Sequence, residues 1–482
     1  MKYKFLPLLN TTRIKKNIGI FLLFLFDIIA LILLFQISVY VRAHLLPKII
    51  ANLPEFKHSI SMYLWIFPIY IFSFLYEGLY HKTFPFWDEI KQMLKSFLIA
   101  TIVILSVLFI SKTSQKYSRI LIITLTFLLA FLFPFIRINV RKLLYTIGLL
   151  RKKALIIGSG KLAQKIYLAL KNEINLCYEI AGFIDDTSEK EVIGYKIHKG
   201  INNIERYIKS AHITDVIIAK ENLTKNELQR LINTVQHKAQ NVIYIPEIEG
   251  IAISGTEIKY FFYEQAFGIE IKNNLSNPII YLTKRIIDYI TAVIVTILLL
   301  PIFVIISILI KFDSKGPIIY SHKRVGKNGR YFNCYKFRTM YADADRRLKE
   351  ILEKDPEKKK EWERFWKLKD DPRVTKLGKF LRKTSLDELP QIFNVLKGEM
   401  SLVGPRPVVQ KEIDDYYKED AQYYFKVPPG VTGLWQVSGR SNTSYEYRIS
   451  LDSWYVKNWN LWLDIVILLK TVKAVIKKEG AC

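Results

Sequence analysis

The sequence predicts a membrane protein built from three dissimilar parts. These are an N-terminal four-helix transmembrane bundle, a Rossmann-like α/β domain, and a C-terminal α/β domain with a re-entrant membrane helix. Three observations predict this. Four apolar runs crowd the first third of the chain. Strand-like and helix-like patterns alternate from Ala154 onward. A fifth apolar run, 286–310, carries Pro301 near its middle. The 482 residues suit roughly three units at about 150 residues each. The expected boundaries are 1–150 for the bundle, 151–250 for the α/β domain, 251–280 for a linker and 281–482 for the last domain, with the re-entrant helix at 282–311.

Composition supports a divided chain. Half of the residues are hydrophobic, yet Lys and Arg number 71 against 44 Asp and Glu, a net charge of +27. One uniform soluble domain does not combine both excesses, so they are segregated along the sequence. The apolar fraction excludes disorder. The three cysteines, Cys177, Cys334 and Cys482, are too few and too dispersed for a disulfide scaffold or a metal cluster, and suit a reducing compartment. The charge leaves two partner classes, a nucleic acid or an anionic membrane. No helix-turn-helix or stacking platform is evident, so no nucleic acid is expected.

The four runs are 18–41, 60–80, 96–110 and 120–136. With its flanks, each reaches the ~20 residues that cross a ~30 Å hydrocarbon core. The first is too long for a signal peptide and no small-residue cleavage site follows it. Basic residues set the orientation. Lys2, Lys4, Arg13, Lys15 and Lys16 precede the first run. Arg137, Arg141, Lys142, Arg151, Lys152 and Lys153 follow the fourth, and the loops on the other side are poorer in them. Both ends of the bundle are therefore expected in the cytoplasm. Asp27 lies inside the first run. An intramembrane acid is a functional candidate, but nothing else in the bundle suggests a transport path, so pairing with a neighbouring helix is the expectation.

From Ala154 the pattern reads strand, glycine turn, helix. Gly158-Ser-Gly160-Lys-Leu-Ala163 has the form G-x-G-x-x-A. Further strands are expected at 179–184, 215–219 and 241–245, with a helix at 225–237. This alternation predicts a parallel, doubly wound sheet. Gly158 and Gly160 would let a phosphate approach the helix, and Asp185 lies where a ribose-binding acid would sit. The same turn also serves simple packing, and that reading is favoured.

The fifth run is followed by Lys311, Lys315, Lys323 and Arg324. A simple span would export this basic remainder, against the charge rule. A break at Pro301, which lacks a backbone donor and bends the chain, would give a re-entrant helix-break-helix that enters and leaves on the cytoplasmic side.

Beyond it, phosphate-binding groups are dense: Arg324-Val-Gly326-Lys-Asn-Gly329-Arg330, Lys336-Phe-Arg338-Thr-Met340, Asp371-Pro-Arg373, Arg382-Lys383-Thr-Ser-Leu-Asp387-Glu388-Leu-Pro390, Gly404-Pro-Arg406-Pro407 and Pro429-Gly430-Val-Thr-Gly433-Leu-Trp435-Gln436-Val-Ser-Gly439-Arg440. Arginine forks match phosphate oxygens. Adjacent acids among them suit a divalent cation and a carboxylate nucleophile. An Asp-Glu pair alone is usually a surface helix start; the ensemble beside a membrane helix carries the signal.

On these motifs, residues from about 280 to 482 resemble the bacterial sugar transferase family, the monotopic polyprenyl-phosphate phosphoglycosyl transferases. Bundle and insert extend the resemblance to its long forms. The ending, Asp452-Ser-Trp-Tyr-Val-Lys-Asn-Trp459 to Gly480-Ala481, is most similar to undecaprenyl-phosphate galactose phosphotransferases. Leu300 stands where the family often has serine before the proline. The resemblance implies transfer of a sugar 1-phosphate from a UDP-sugar to undecaprenyl phosphate, with galactose expected and glucose the alternative. Asp387 would be the nucleophile and Glu388 would help it hold Mg²⁺. Lys336, Arg338, Arg382 and Arg406 would hold phosphate oxygens. A homodimer in the bacterial inner membrane, with the catalytic domain on the cytoplasmic face, is the expected setting. Trp454, Tyr455, Trp459, Trp462 and the last helix would lie either at the membrane interface or in the core.

Overall fold

A computed structural model describes residues 6–51, 53–54, 56, 60–112, 117–186, 191–201, 204–247, 257–261, 266–270, 274–365, 368, 371–438 and 444–477. Gly439, Arg440, Gly480, Ala481 and Cys482 lie outside them. The chain divides into two compact units, Met1–Ile248 and Glu249–Cys482.

In the first unit, α1 (Leu6–Tyr40) passes through a π turn into α2 (Leu46–Ile49). Next come α3 (Ile66–Tyr76), α4 (Phe86–Ile110) and α5 (Arg119–Thr146). Among the described residues, three helical stretches here are long and apolar enough to cross a membrane: Ile14–Ile49, Phe86–Ile110 and Arg119–Thr146. The second run differs from expectation. Its apolar helical stretch, Ser61–Tyr76, is shorter, and the chain turns at Gly78, whose φ is +79°. Its aromatic residues go into packing: Tyr63, Tyr70 and Phe74 are fully buried in the helical core.

Asp27 pairs with a neighbouring helix, as expected. It accepts from Tyr80 Oη at 2.8 Å and forms an ion pair with Arg137 of α5. Arg137 Nε and Arg141 Nη2 also hold Glu89 of α4, at 3.1 and 2.8 Å. Asn175 Nδ2 donates to the same carboxylate at 3.2 Å. Burial makes such charges costly unless every partner is in place, and here each ion meets an opposite one.

Strands β1 (Lys152–Ile157), β2 (Tyr178–Ile184), β3 (Glu191–Val192), β4 (Tyr195–His198), β5 (Asp215–Ile218) and β6 (Asn241–Tyr244) form one sheet in the order β3-β4-β2-β1-β5-β6. It is parallel except at β3. Helices α6 (Lys161–Asn172), α7 (Ile204–Ala211) and α8 (Lys225–Gln236) alternate with the strands. Buried apolar residues such as Leu155, Ile156 and Val216 feed separate cores on either side. The doubly wound prediction holds. The short β4 escaped it because Tyr195-Lys-Ile-His198 offers only one apolar alternation.

The second unit begins with the ribbon β7 (Glu257–Phe261) and β8 (Ala266–Glu270), inside the stretch expected to be a linker. Then α9 (Pro278–Asp313) runs as one helix through Pro301. Losing one hydrogen bond at a proline bends a helix without ending it, so α9 continues through the position where a break was expected. The first part of α9 is anchored by polar groups. Lys284 Nζ meets Asp464 Oδ2 at 2.5 Å, Arg285 Nη1 donates to Met400 O at 3.0 Å, and Ser401 Oγ donates to Asp288 Oδ2 at 2.6 Å. Its last part buries Phe303, Ile306 and Ile310 in the same core. Between them Ile297, Leu298 and Leu300 are exposed.

The remainder is β9 (Ile319–Val325), β10 (Tyr331–Phe337), α10 (Ala344–Lys354), α11 (Pro356–Phe365), α12 (Lys376–Thr384), α13 (Gln391–Lys397), β11 (Ser401–Val403), α14 (Gln410–Glu412), α15 (Ala421–Tyr424), β12 (Gly430–Thr432), α16 (Tyr445–Lys457) and α17 (Leu461–Lys477). Tyr455 and Trp459 belong to the core, donating to Asp464 at 2.7 and 3.0 Å. Trp454 is exposed. α17 buries Val466 and Ile467 but exposes Ile465, Leu469 and Val472, so it packs on one side and shows an apolar stripe on another.

Candidate active site

The acidic pair sits on a turn between two helices. α12 starts at Thr375, whose hydroxyl accepts from Gly378 N–H at 2.9 Å. Thr375 N–H in turn donates to Thr339 O at 3.0 Å. A side chain at position 378 would collide with the Thr339 carbonyl, so glycine lets α12 press onto the segment leaving β10. α12 ends at Ser385, in the left-handed region with φ +57°. The 3-10 turn Leu386–Glu388 follows, and Pro390 caps α13.

Three basic side chains reach this turn. Lys336, near the end of β10, donates from Nζ to Glu388 Oε1 at 2.8 Å. Arg406 follows β11, and its Nη2 lies 3.9 Å from the same oxygen. The loop carrying it is fixed by backbone contact. Gly404 N–H donates to Thr432 O at 2.9 Å and Gly430 N–H donates to Pro405 O at 2.8 Å. A side chain at Gly430 would clash with the Gly404 backbone, which explains the glycines of both motifs. Arg382, on α12, donates from Nε to Thr339 Oγ1 at 2.9 Å and interacts electrostatically with Asp387.

Asp387 is buried and its carboxyl is pushed up to about 6. Burial is the main cause, and Glu388 adds to it, while Lys336 and Arg382 pull the other way. The neighbouring cations thus leave the buried anion under-compensated. It is mostly ionised at neutral pH yet poised to gain a positive or phosphorus-centred partner. Arg382 is itself lowered, by burial, against the pull of Asp387 and Asp371.

Other expected residues are placed differently. Arg338 donates from Nη2 to Ser314 O and Oγ, at 2.5 and 2.9 Å, and so clamps the loop after α9. Asp371 and Arg373 form a buried pair, 2.6 Å at its shortest. Gly326 to Gly329 is the turn of the β9–β10 hairpin, with Asn328 and Gly329 both at positive φ. Sequence reasoning missed the surroundings of Arg406. Its guanidinium lies 5.7 Å from the Trp435 ring centre, and Arg448 lies 4.9 Å from the same ring. Arg448 is buried beside Glu412 and Asp452. Trp435 stood inside a recognised motif, and its pairing with cations was the signal available.

Among the described residues, no cluster of three or more His, Cys, Asp or Glu could cage a metal. Magnesium needs less, since one or two carboxylates plus substrate phosphates suffice. An adjacent acid pair with an under-compensated buried carboxylate fits that requirement.

The α/β turn is arranged otherwise. Asp185 accepts from Ser159 Oγ at 2.7 Å, Asp186 N–H at 2.9 Å and Lys220 Nζ at 3.0 Å. Burial pushes its carboxyl up, but these bonds outweigh burial and leave it lowered.

Residues 279–478 match the family described as Bacterial sugar transferase, and residues 77–246 match CoA-binding domain. The second match takes in α4 and α5 as well as the sheet. The chain is 43% identical over 408 residues to the UDP-galactose-lipid carrier transferase of Erwinia amylovora, covering 83% of this chain and 84% of that protein. It is 38% identical to the undecaprenyl-phosphate galactose phosphotransferase of Salmonella typhimurium, with 83% and 84% covered. Identity is 33% to the UDP-glucose:undecaprenyl-phosphate glucose-1-phosphate transferase of Klebsiella pneumoniae, with 69% and 70% covered.

Proposed function

The chain belongs to the bacterial sugar transferase family, and we propose that it transfers galactose 1-phosphate from UDP-galactose to undecaprenyl phosphate, initiating a surface polysaccharide. The observation that carries this reading is the Asp387–Glu388 turn faced by Lys336, Arg382 and Arg406. The names of the Erwinia and Salmonella relatives support the sugar and the lipid. The name of the Klebsiella relative supports glucose as the second reading.

A carboxylate oxygen of Asp387 attacks the phosphorus that bears the sugar. A bond forms between that oxygen and phosphorus, and the bond from phosphorus to the bridging oxygen breaks. UMP leaves with the electron pair. An oxygen of the lipid phosphate then attacks the same phosphorus and restores the carboxylate. Using one site twice avoids holding two anionic substrates together. Lys336 and Arg406 bind phosphate oxygens and offset the charge that grows in the transition state. Arg382, fixed by Thr339, steadies the Asp387 anion. Asp387 and Glu388 would hold Mg²⁺, which when bound supplies further charge neutralisation at the phosphates.

The site is proposed to face the cytoplasm, with α9 re-entrant and bending at Pro301. Packing of residues from both halves of α9 on one core, with an apolar face left exposed along its length, supports this. A homodimer is proposed on the family resemblance, and light scattering of the solubilised chain tests it. Release of UMP, assayed with undecaprenyl phosphate and a panel of UDP-sugars, tests the function. UDP-galactose is expected to be preferred. Preference for UDP-glucose would move the reading to its alternative, and no release with any UDP-sugar would overturn it.

A further inference from the structure

The α/β domain carries the glycine turn associated with nucleotide binding and matches a family named for CoA. Its turn, however, is already full. Leu162 N–H, in the first turn of α6, donates to Glu221 Oε1 at 2.6 Å. This is one of the unpaired donors that a nucleotide phosphate would use at a helix N-terminus. The same carboxylate stands over Gly160: a Cβ there would lie 3.0 Å from Glu221 Oε2. The space beside Gly158 is also taken. Its φ is +116°, and a Cβ would lie 2.4 Å from Ala219 O. Both glycines therefore make room for residues 219–221 of this chain rather than for a ligand. The expected ribose acid is engaged too, since Ser159 and Lys220 both donate to Asp185.

We propose that this turn is an anion seat filled by the chain's own Glu221, so that the α/β domain takes no nucleotide or CoA phosphate there. The carboxylate takes the Leu162 N–H of the first turn, and ties the loop after β5 to the start of α6. The glycine motif is then kept for packing its own loop, which disagrees with the ligand in the family's description. The proposal is independent of the reaction assigned to the C-terminal domain.

The test is a titration of the full-length chain in nanodiscs with CoA, by calorimetry, and with NADH, by fluorescence. The wild-type chain is expected to show no saturable binding at the turn below about 1 mM. Glu221→Ala, which vacates the seat, is expected to gain NADH affinity by about tenfold or more, the scale of an anion at a helix N-terminus. Wild-type binding with a Kd below about 100 μM that Lys220→Met weakens would overturn the proposal. Wild-type binding that Lys220→Met leaves unchanged lies elsewhere and upholds it. A folded Glu221→Ala chain with no gain would show that the turn is no anion seat. Should Glu221→Ala fail to fold, the wild-type and Lys220→Met titrations still decide.

Discussion

Asp185 and Asp387 are both buried acids on turns beside basic side chains, yet their carboxyls are pushed in opposite directions. Asp185 is lowered because Ser159, Lys220 and a backbone N–H all donate to it. Asp387 is raised to about 6 because burial outweighs the pull of Lys336 and Arg382. The nearby cations differ as well. Lys220 meets a single carboxylate, Asp185, whereas Lys336 and Arg406 converge on one oxygen of Glu388 beside Asp387. The lesson is that an acid among arginines and lysines is not in itself a site. What marks one is residual demand, meaning a buried charge not fully answered where several cations converge.

The largest expected effect breaks or keeps this contrast directly. Asp387→Asn should lower UMP release by about 10³-fold or more, because an amide cannot serve as the nucleophile. Asp185→Asn should leave it within about twofold, since no reacting atom meets it. A folded Asp387→Asn chain with wild-type turnover would remove the nucleophile assignment.

Much of this contrast was legible in the sequence, and the reason it was incomplete is physical. Asp387 and Glu388 stood out because neighbours in sequence stay neighbours in space. Lys336 and Arg406 were identified by type, but the meeting of both on one Glu388 oxygen depends on β10 and β11 folding around the same turn. Arg338, two residues from Lys336, was grouped with it. It instead holds Ser314, a choice made by the loop after α9 that no local pattern records. Glu221 likewise lies far along the chain from the glycine turn it fills, so packing was the favoured reading of the turn but the group that packs there was not legible. The fold was read from periodicity, which found the sheet and the long helices. It overestimated the second apolar run, because the aromatic residues of α3 serve packing as readily as spanning.

A smaller effect concerns pH. Asp387 must be ionised to attack, and its carboxyl titrates at about 6. The substrate-free chain should therefore lose kcat/KM as pH falls through 6, by about tenfold per unit once below it. Asp185, being lowered, should contribute no such limb. A profile flat from pH 7 to 5 would mean that Asp387 is better compensated than its burial indicates.

The smallest effect tests the other half of the comparison. A carboxyl lowered by folding stabilises the folded state above its unfolded pKa, and that contribution is lost as pH falls through the folded value. Asp185→Asn removes the charge that Lys220 and Ser159 answer. It should cost about 1–3 kcal/mol of stability to the α/β domain, the scale of hydrogen bonds to a charged group. Lys220 is 30% exposed, so solvent softens the loss and the lower end is expected. Hydrogen exchange at β1 and α6, followed from pH 7 downward, would resolve it. The variant and wild-type chains should draw together as pH falls through the folded value of the carboxyl, which lies below the usual aspartate range. Equal protection of the variant and wild-type chains at pH 7 would mean that the turn is held by shape alone, and that the charge on Asp185 does no more for folding than an amide.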